Sequence, residues 1–500
     1  MIHNNNIHRI SQKKEVVYNV SINLLLQTVN IICGFILPPL IVQTFGSELN
    51  GMTSSIKQFI AYLGVVESGI GGASIAILYK PLAEKNIQSR NEILSATRHF
   101  YNKSGFLFTG LVIILAIIYP LIIKSQEKNN LSRLMVLILG ISGIADFFLI
   151  GKYRVLLVAD RKNYVVAFIH TIEIISNTVI SIALIKLFNI SSILMMQSVI
   201  SFSFLLKYVL IVSYIKQKYH NLYIFNSPNV NILQQKWDVL IHQIGGLIIF
   251  NSPIVLLSIF CDLNTVSIYA VYSVVFVGLG NLIGCISTGM QAFFGKLLFE
   301  KRINSIYQKY ETMYFIILGW IYSCAYILTI PFMKLYTKNM IDAEYIQPML
   351  ATLFVVVGIA NKLRVPADLL ISAAGHFKET KNRSMLEVMI NIIASLFFVI
   401  KYGLSGVLIG SVCSFAYRTV DIIIYSHTKI LNDKVKYTGI RIMLWGLCYF
   451  IAIYIIKCAI PYSGISNFDW IKYAFKVGII LAVPGIGYIL LHFKSLFSSF

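Results

Sequence analysis

Charge is what this chain has least of. Aspartate and glutamate number only 21 in 500 residues, and charged residues of all kinds make up 13% against 57% apolar residues. A soluble fold of that length closes its core with polar faces, and too few polar residues are present to build them. Cysteine offers no chemistry either. Cys33, Cys261, Cys285, Cys324, Cys413, Cys448 and Cys458 show no C-x-x-C and no paired spacing, so they read as small buried hydrophobes within apolar runs. Enzyme signatures are missing: there is no Walker A, no His/Cys metal spacing, no H-E-x-x-H and no G-x-S-x-G. The expectation is a non-enzyme with no cofactor and no metal, driven by an ion gradient, the membrane potential or its substrate's own gradient.

What is present is apolar sequence in membrane-length runs. Spans of roughly 20 or more residues number fourteen: 16–43, 52–79, 103–124, 133–157, 164–187, 191–215, 238–260, 265–294, 310–333, 346–372, 382–400, 404–426, 437–460 and 471–492. The fold class expected is an all-α polytopic membrane protein. Met1 to Glu15 is polar and basic, and the run behind it is too long for a cleaved signal. With the N-terminus inside, the inner connections collect most of the cations, among them Lys80, Lys85, Arg90, Arg161, Lys162, Lys216, Lys301, Arg302, Lys378, Arg383, Lys429 and Arg441. The outer connections are sparse. That is the positive-inside pattern, with both termini cytoplasmic. Topology and attraction to membrane lipid account for a net charge of +21 without nucleic acid.

The chain also repeats. One gap-free offset matches Pro39 to Pro253, Glu48-Leu49-Asn50 to Asp262-Leu263-Asn264, Gly64 to Gly278, Glu173 to Glu387, Asn177 to Asn391 and Ser181 to Ser395. Six spans per repeat is an even number, so the two lobes are related by an axis along the membrane normal, with a cavity expected between them. The boundaries expected are 1–222 and 223–430 for the lobes, with 431–500 supplying two accessory helices. The connection from Lys80 to Lys103 reads either as an amphipathic surface helix, with Ser89 and Glu92 at capping-box spacing and Ile93 and Leu94 on the interface, or as a solvated linker.

Three segments carry a resemblance. Val66-Glu67-Ser68-Gly69-Ile70-Gly71-Gly72-Ala73 closes span 2, Arg154-Val155-Leu156-Leu157-Val158-Ala159-Asp160-Arg161-Lys162-Asn163-Tyr164 links spans 4 and 5, and Ala374-Gly375-His376-Phe377-Lys378-Glu379-Thr380 fills the matching loop of the second half. Together with the repeat, these resemble O-antigen and capsule flippases, the polysaccharide-transport branch of the multidrug/oligosaccharidyl-lipid/polysaccharide exporter superfamily, over most of residues 15–430. The resemblance implies a V-shaped pair of six-helix lobes working by alternating access in a bacterial cytoplasmic membrane. It further implies an undecaprenyl-diphosphate-linked oligosaccharide as substrate, and glycan polymerases or glycosyltransferases as candidate partners. Two other readings stand beside it: an ion-coupled multidrug exporter of the same superfamily, and a membrane-embedded glycan polymerase or ligase.

Polar residues inside spans mark the candidate sites. Each intramembrane charge costs about 2.5–3.5 kcal/mol to insert. Lys57, Arg364 and Arg418 are such charges, and the anionic head group implied by the resemblance would want them converging on the cavity. The alternative is internal salt bridging, Arg364 with Asp368 and Arg418 with Asp421, whereas Lys57 has no carboxylate within a turn. Lys207, near an inner end, is expected to snorkel. Asn19, Asn23, Gln27 and Asn30 fall on one helical face, either as a sugar-binding wall or as helix–helix hydrogen bonding. Glu173 with Asn177, and Glu387 with Asn391, are i,i+4 pairs that either bind a coupling proton or sodium ion or brace a lobe; Asp146 and Glu67 are weaker candidates of the same kind. Pro38 and Pro39 are expected to interrupt span 1 as a hinge, with Pro253 at the matching position, unless the kink is static.

Overall fold

The computed structural model describes residues 2–67, 70–123, 129–219, 221–223, 225, 251–287, 290–300, 302–464 and 466–491, and among them there are helices and no strands. In chain order the helices are α1 (Ile2–Phe45), α2 (Ser47–Leu63), α3 (Ile70–Ala83), α4 (Ile87–Ile122), α5 (Asn129–Ala145), α6 (Gly151–Ala159), α7 (Asn163–Lys186), α8 (Ile193–Ser201) and α9 (Phe204–Lys218). Then follow α10 (Asn251–Phe260), α11 (Leu263–Ile286), α12 (Met290–Phe299), α13 (Ile303–Tyr336), α14 (Pro348–Lys362), α15 (Val365–Ala374), α16 (Phe377–Tyr425), α17 (Val435–Ala459) and α18 (Asn467–Leu491).

Among the described residues, eleven helices are long and apolar enough to cross a membrane, or twelve if the bent pair Ser47–Glu67 and Gly71–Ala83 is one span. The long helix α16 contains two of the expected spans. It turns at Gly403, whose φ of 54° and ψ of −126° only glycine adopts without strain, and its arms then run back against each other. A Cβ at Gly406 would lie 2.0 Å from the Phe398 carbonyl oxygen, so the arms touch backbone to backbone. The seventh expected span, 238–260, lies mostly outside the described residues. The chain is a multi-pass helical membrane protein, in keeping with the expected fold class.

The chain divides into two compact units, Met1–Ala270 and Val271–Phe500. In the first, α1 lies along α7, α3 packs on α4 and α6, and α5 packs on α4 and α8. This unit runs past the expected junction at residue 222 because α10 and the first turns of α11 dock on α2. Ser47, Gly51 and Ser55 recur at every fourth position of α2, and small residues let backbones close up. A Cβ at Gly51 would lie 1.8 Å from the Leu263 carbonyl oxygen. Ser258 donates to the Ser55 hydroxyl at 2.6 Å, and Asn50 donates to Ser267 at 2.7 Å. In the second unit, α14 packs on α13 and α16, α12 on α15, and the accessory helices α17 and α18 on α13 and on each other.

The sequence repeat reappears in helix boundaries. α4 and α13 end at Ile122 and Tyr336, α6 and α15 start at Gly151 and Val365, and α7 and α16 start at Asn163 and Phe377; each pair is related by the same offset that joins Pro39 to Pro253.

Three expectations need correction. The Lys80–Lys103 connection is neither a surface helix nor a linker: the loop is only Glu84 to Asn86, and α4 starts at Ile87, capped by the Asn86 side chain, which accepts from the Ser89 amide at 3.0 Å. Ile93 and Leu94 are buried in the first unit's core. Pro38 and Pro39 do not interrupt α1, which continues to Phe45; two lost amide donors near a helix end leave the remaining ladder intact. The break falls instead in the second span, through the turn Gly64–Glu67 and a 45° change of direction. Cys413, Cys448 and Cys458 are exposed on helix surfaces rather than buried, although Cys33 is buried; a small apolar thiol is cheap against lipid.

Candidate functional site

The second unit assembles a buried ion network around Glu387. Its placement begins with a proline. Pro366 cannot donate to the carbonyl of Lys362, so the span breaks between α14 and α15. The freed Lys362 carbonyl accepts instead from the Tyr314 hydroxyl at 3.0 Å. Arg364 occupies this break, before α15, and its side chain reaches the first arm of α16.

There Arg364 Nη1 donates to Glu387 Oε1 at 2.5 Å, while its Nε lies 3.4 Å from Asp368 Oδ2. The guanidinium stacks over Phe415, 5.4 Å from the ring centroid. From the second arm of α16, Arg418 approaches the other oxygen: its Nε is 3.5 Å from Glu387 Oε2, and its Nη1 is 3.1 Å from Asp421 Oδ2. Arg383 closes on the second oxygen of Asp421. One turn beyond Glu387, Asn391 donates to the Ser414 hydroxyl at 3.0 Å, tying the two arms together. Glu387 is 4% exposed, Arg418 9% and Arg364 13%, whereas Asp368 and Arg383 are each 43% exposed at the rim. Three arginines meet three carboxylates, so the network is neutral. Both intrahelical pairs read from the sequence are present, but Glu387, remote from both arginines along the chain, holds the two together.

The first unit builds its own cluster. Arg154 binds Glu67 and, at 2.7 Å, Asp146. The Tyr101 hydroxyl donates to Glu67 at 2.8 Å. Lys207 does not snorkel outward: it turns inward to Asp146 at 3.7 Å and Glu173 at 3.5 Å, because carboxylates within reach offer a partly buried ammonium more than the end of the helix does. His170 Nδ1 lies 2.9 Å from Glu173. Glu173 is thus engaged by Lys207 and His170, and the Asn177 side-chain oxygen is buried without a partner.

The remaining candidates are more dispersed. Lys57 is on the exposed face of α2 and forms no ion pair among the described residues. On α1, Asn19 donates to the Arg161 carbonyl in the loop before α7 at 2.9 Å, whereas Asn23 bonds back to the Asn19 carbonyl of its own helix at 2.7 Å; Gln27 and Asn30 are half-buried further along. Pro253 lies near the start of α10.

The repeat supplies a signal that reading single motifs misses. Its offset also relates Arg154 to Asp368, Lys207 to Asp421 and Glu173 to Glu387. The two clusters therefore share three positions, and two of the three carry opposite charge in the two halves.

No protein-family profile and no curated protein matches this sequence. Solved structures do. The chain is similar to the lipid II flippase MurJ in an inward closed conformation, with a TM-score of 0.70 at 15% identity over 96% of this chain and 100% of that one. It is similar to a multidrug resistance MATE family transporter of the MOP superfamily, inward-facing, with a TM-score of 0.67 at 12% identity over 84% of this chain and 99% of that one. An outward-facing structure of a MATE family transporter gives a TM-score of 0.54 at 12% identity over 85% and 97%. At these identities the likeness establishes the fold, and that fold is the one shared by MOP superfamily transporters.

Proposed function

We propose that this chain is a flippase that carries an undecaprenyl-diphosphate-linked oligosaccharide across a bacterial cytoplasmic membrane by alternating access, for capsule, exopolysaccharide or O-antigen synthesis. The observation that carries this reading is the pair Arg364 and Arg418, deep in an apolar bundle and gripping the two oxygens of one carboxylate. Two guanidinium forks around one anion form a receptor for a larger anion with the same oxygen geometry, and a diphosphate is such a ligand. A diphosphate leaving water needs donors of this strength to replace its hydration.

Glu387 then has a defined part. While ionised it occupies the arginines and keeps the network neutral. When protonated it releases them, and the diphosphate takes its place. A proton and the anionic lipid would travel together, which is the form of coupling this site supports. Glu387→Gln mimics the protonated state, so flipping by this variant in proteoliposomes is expected to become independent of pH while keeping substrate affinity. Retained pH dependence in Glu387→Gln would remove Glu387 from coupling. The first unit's cluster, with Glu67, Asp146 and Glu173 against Arg154 and Lys207, favours cations instead. It therefore supports export of cationic drugs as the second reading, which a cationic-dye efflux assay on the same preparation separates.

A further inference from the structure

The accessory helix α17 is joined to the second unit by a buried chain of polar groups. The Thr438 hydroxyl lies 2.8 Å from Glu311 Oε2 on α13 and 2.8 Å from His427 Nε2 in the turn after α16. The other ring nitrogen, Nδ1, lies 3.0 Å from the Ile423 carbonyl oxygen. Thr438 and His427 are fully buried and Glu311 is 1% exposed. The turn Ser426–Leu431 is a single wide helical turn of the π type, which carries His427 toward α13 and α17.

The hydrogens available to these groups fall short of what their contacts require. The three contacts are Oε2 to Oγ1, Oγ1 to Nε2, and Nδ1 to a carbonyl oxygen. Each joins two atoms that repel unless a hydrogen lies between them, so three hydrogens are needed. An ionised Glu311, a hydroxyl and a neutral imidazole supply two. Ser426 cannot fill the gap: its hydroxyl, 3.4 Å from Nδ1, donates to the same Ile423 carbonyl at 3.0 Å, and turned to the ring it would still leave Nδ1 facing that carbonyl without a hydrogen between them. We infer that Glu311, Thr438 and His427 form a proton-binding site, occupied in this conformation, with the extra proton on His427. The imidazolium then donates from both nitrogens, and Thr438 donates onward to Glu311. Arg441 Nη2 lies 3.1 Å from Glu311 Oε2, the geometry of an ion pair with a carboxylate, and with Glu311 ionised the proton is on the ring.

The other groups facing the site fit this assignment. Arg441 also donates to Thr438 at 3.2 Å and to the Gln308 carbonyl at 3.0 Å. Tyr307, from α13, is fully buried beside Glu311 with its ring edge-on to the imidazole at 5.9 Å. Asp433, just past the turn, is held by Gln308 at 2.6 Å. From α12 and α15 the region receives Phe294, Leu297, Leu370 and Ile371. Loss of the proton would leave one of the short contacts unbridged. If Thr438 turned its hydrogen to the neutral ring, Oγ1 and Oε2 would face each other bare, and these two atoms join α17 to α13. Proton occupancy thereby sets how firmly the accessory helices dock, whatever substrate the transporter carries.

The test is nitrogen NMR on the full chain, labelled with 15N-histidine and held in nanodiscs, across pH 5.5 to 8.5. The His427 signals are assigned by their loss in His427→Asn or, if that variant does not fold, by their displacement in Thr438→Ser. Both ring nitrogens of His427 are expected to be protonated at pH 6.5, and a neutral ring in either tautomer would overturn the assignment. Glu311→Gln provides the second reading, since an amide supplies the missing hydrogen from its own nitrogen. In that variant the imidazolium signal is expected to disappear across the whole range, leaving the neutral Nδ1–H form. An imidazolium that persists in Glu311→Gln would show that the proton is not held by this chain of groups. Neither readout depends on transport, so failure of the flippase reading leaves this test standing, and the reverse holds as well.

Discussion

Replacing Arg364 by lysine keeps the charge and removes the fork, which makes it the sharpest test of the proposed diphosphate site. Arg364 presently reaches Glu387 through Nη1 and Asp368 through Nε while stacking on Phe415. An ammonium can replace one of these contacts and cannot stack in the same way. Loss of one charge-assisted hydrogen bond to the ligand is worth about 1.5–3 kcal/mol, which corresponds to roughly a 10- to 150-fold fall in affinity for the anionic lipid. The assay is the initial rate of flipping of a fluorescent undecaprenyl-diphosphate-linked saccharide in proteoliposomes, measured against substrate concentration. The loss should appear in the concentration dependence, with the protein inserted and abundant. The opposing idea is that Arg364 only neutralises Glu387. In that case Arg364→Gln combined with Glu387→Gln, which leaves Arg383 and Arg418 against Asp368 and Asp421, would recover most of the wild-type rate. Recovery of that kind would refute the diphosphate assignment.

Topology and the proline pair give two more tests. On a cysteine-free background, a cysteine at exposed Asn339 is expected to react with impermeant reagent from outside, and cysteines at exposed Asn86 and Asn304 only from inside; labelling of Asn86→Cys from outside would invert the topology. Asn50 is unsuitable as a probe because it is buried against Ser267. Pro38→Ala with Pro39→Ala restores two amide donors to α1; if the missing donors let this continuous helix flex during transport, flipping slows without loss of abundance, and an unchanged rate would make the prolines static.

Membrane-spanning structure is unusually legible in sequence, since lipid forces every backbone group to pair within its own helix. The apolar runs therefore give most span positions directly, and the repeat anticipates the helix boundaries that recur in the second half. What local reading loses is pairing between helices. Glu387 and Asn391 look like one i,i+4 pair, yet Glu387 binds Arg364 and Arg418, and Asn391 binds Ser414 on the opposite arm. Lys207 looks like a snorkelling end residue because its partners, Asp146 and Glu173, come from other spans, far from it along the chain. The basic segment 87–103 looks like surface because its cations hide a buried stripe; Arg90 and Asn91 are spent on the Asn221 carbonyl, at 3.3 and 2.9 Å. His427, Thr438 and Glu311 carry no spacing signal at all, since three separate helical segments bring them together.

The matched positions also allow one half of the chain to serve as the control for the other. Position by position, Lys207 corresponds to Asp421 and Phe204 to Arg418. In the first unit, Lys207 at 3.5 Å and His170 at 2.9 Å reach the glutamate equivalent to Glu387, no arginine does, and the cluster remains paired. Asp421→Lys combined with Arg418→Phe therefore places in the second unit the lysine and phenylalanine that the matching positions of the first unit already hold. It preserves a cation on Glu387 and exchanges a guanidinium fork for a single ammonium. Arg383 loses its partner, but at 43% exposure it is solvated at little cost. If these clusters are only internal braces, the double variant should fold and flip substrate at near the wild-type rate. If Arg418 holds the diphosphate, the variant should fold and fail to flip, while Asp421→Asn alone, which leaves both forks in place, should retain activity. A flipping-competent double variant would reduce both clusters to bracing and leave the site to be sought elsewhere in the bundle.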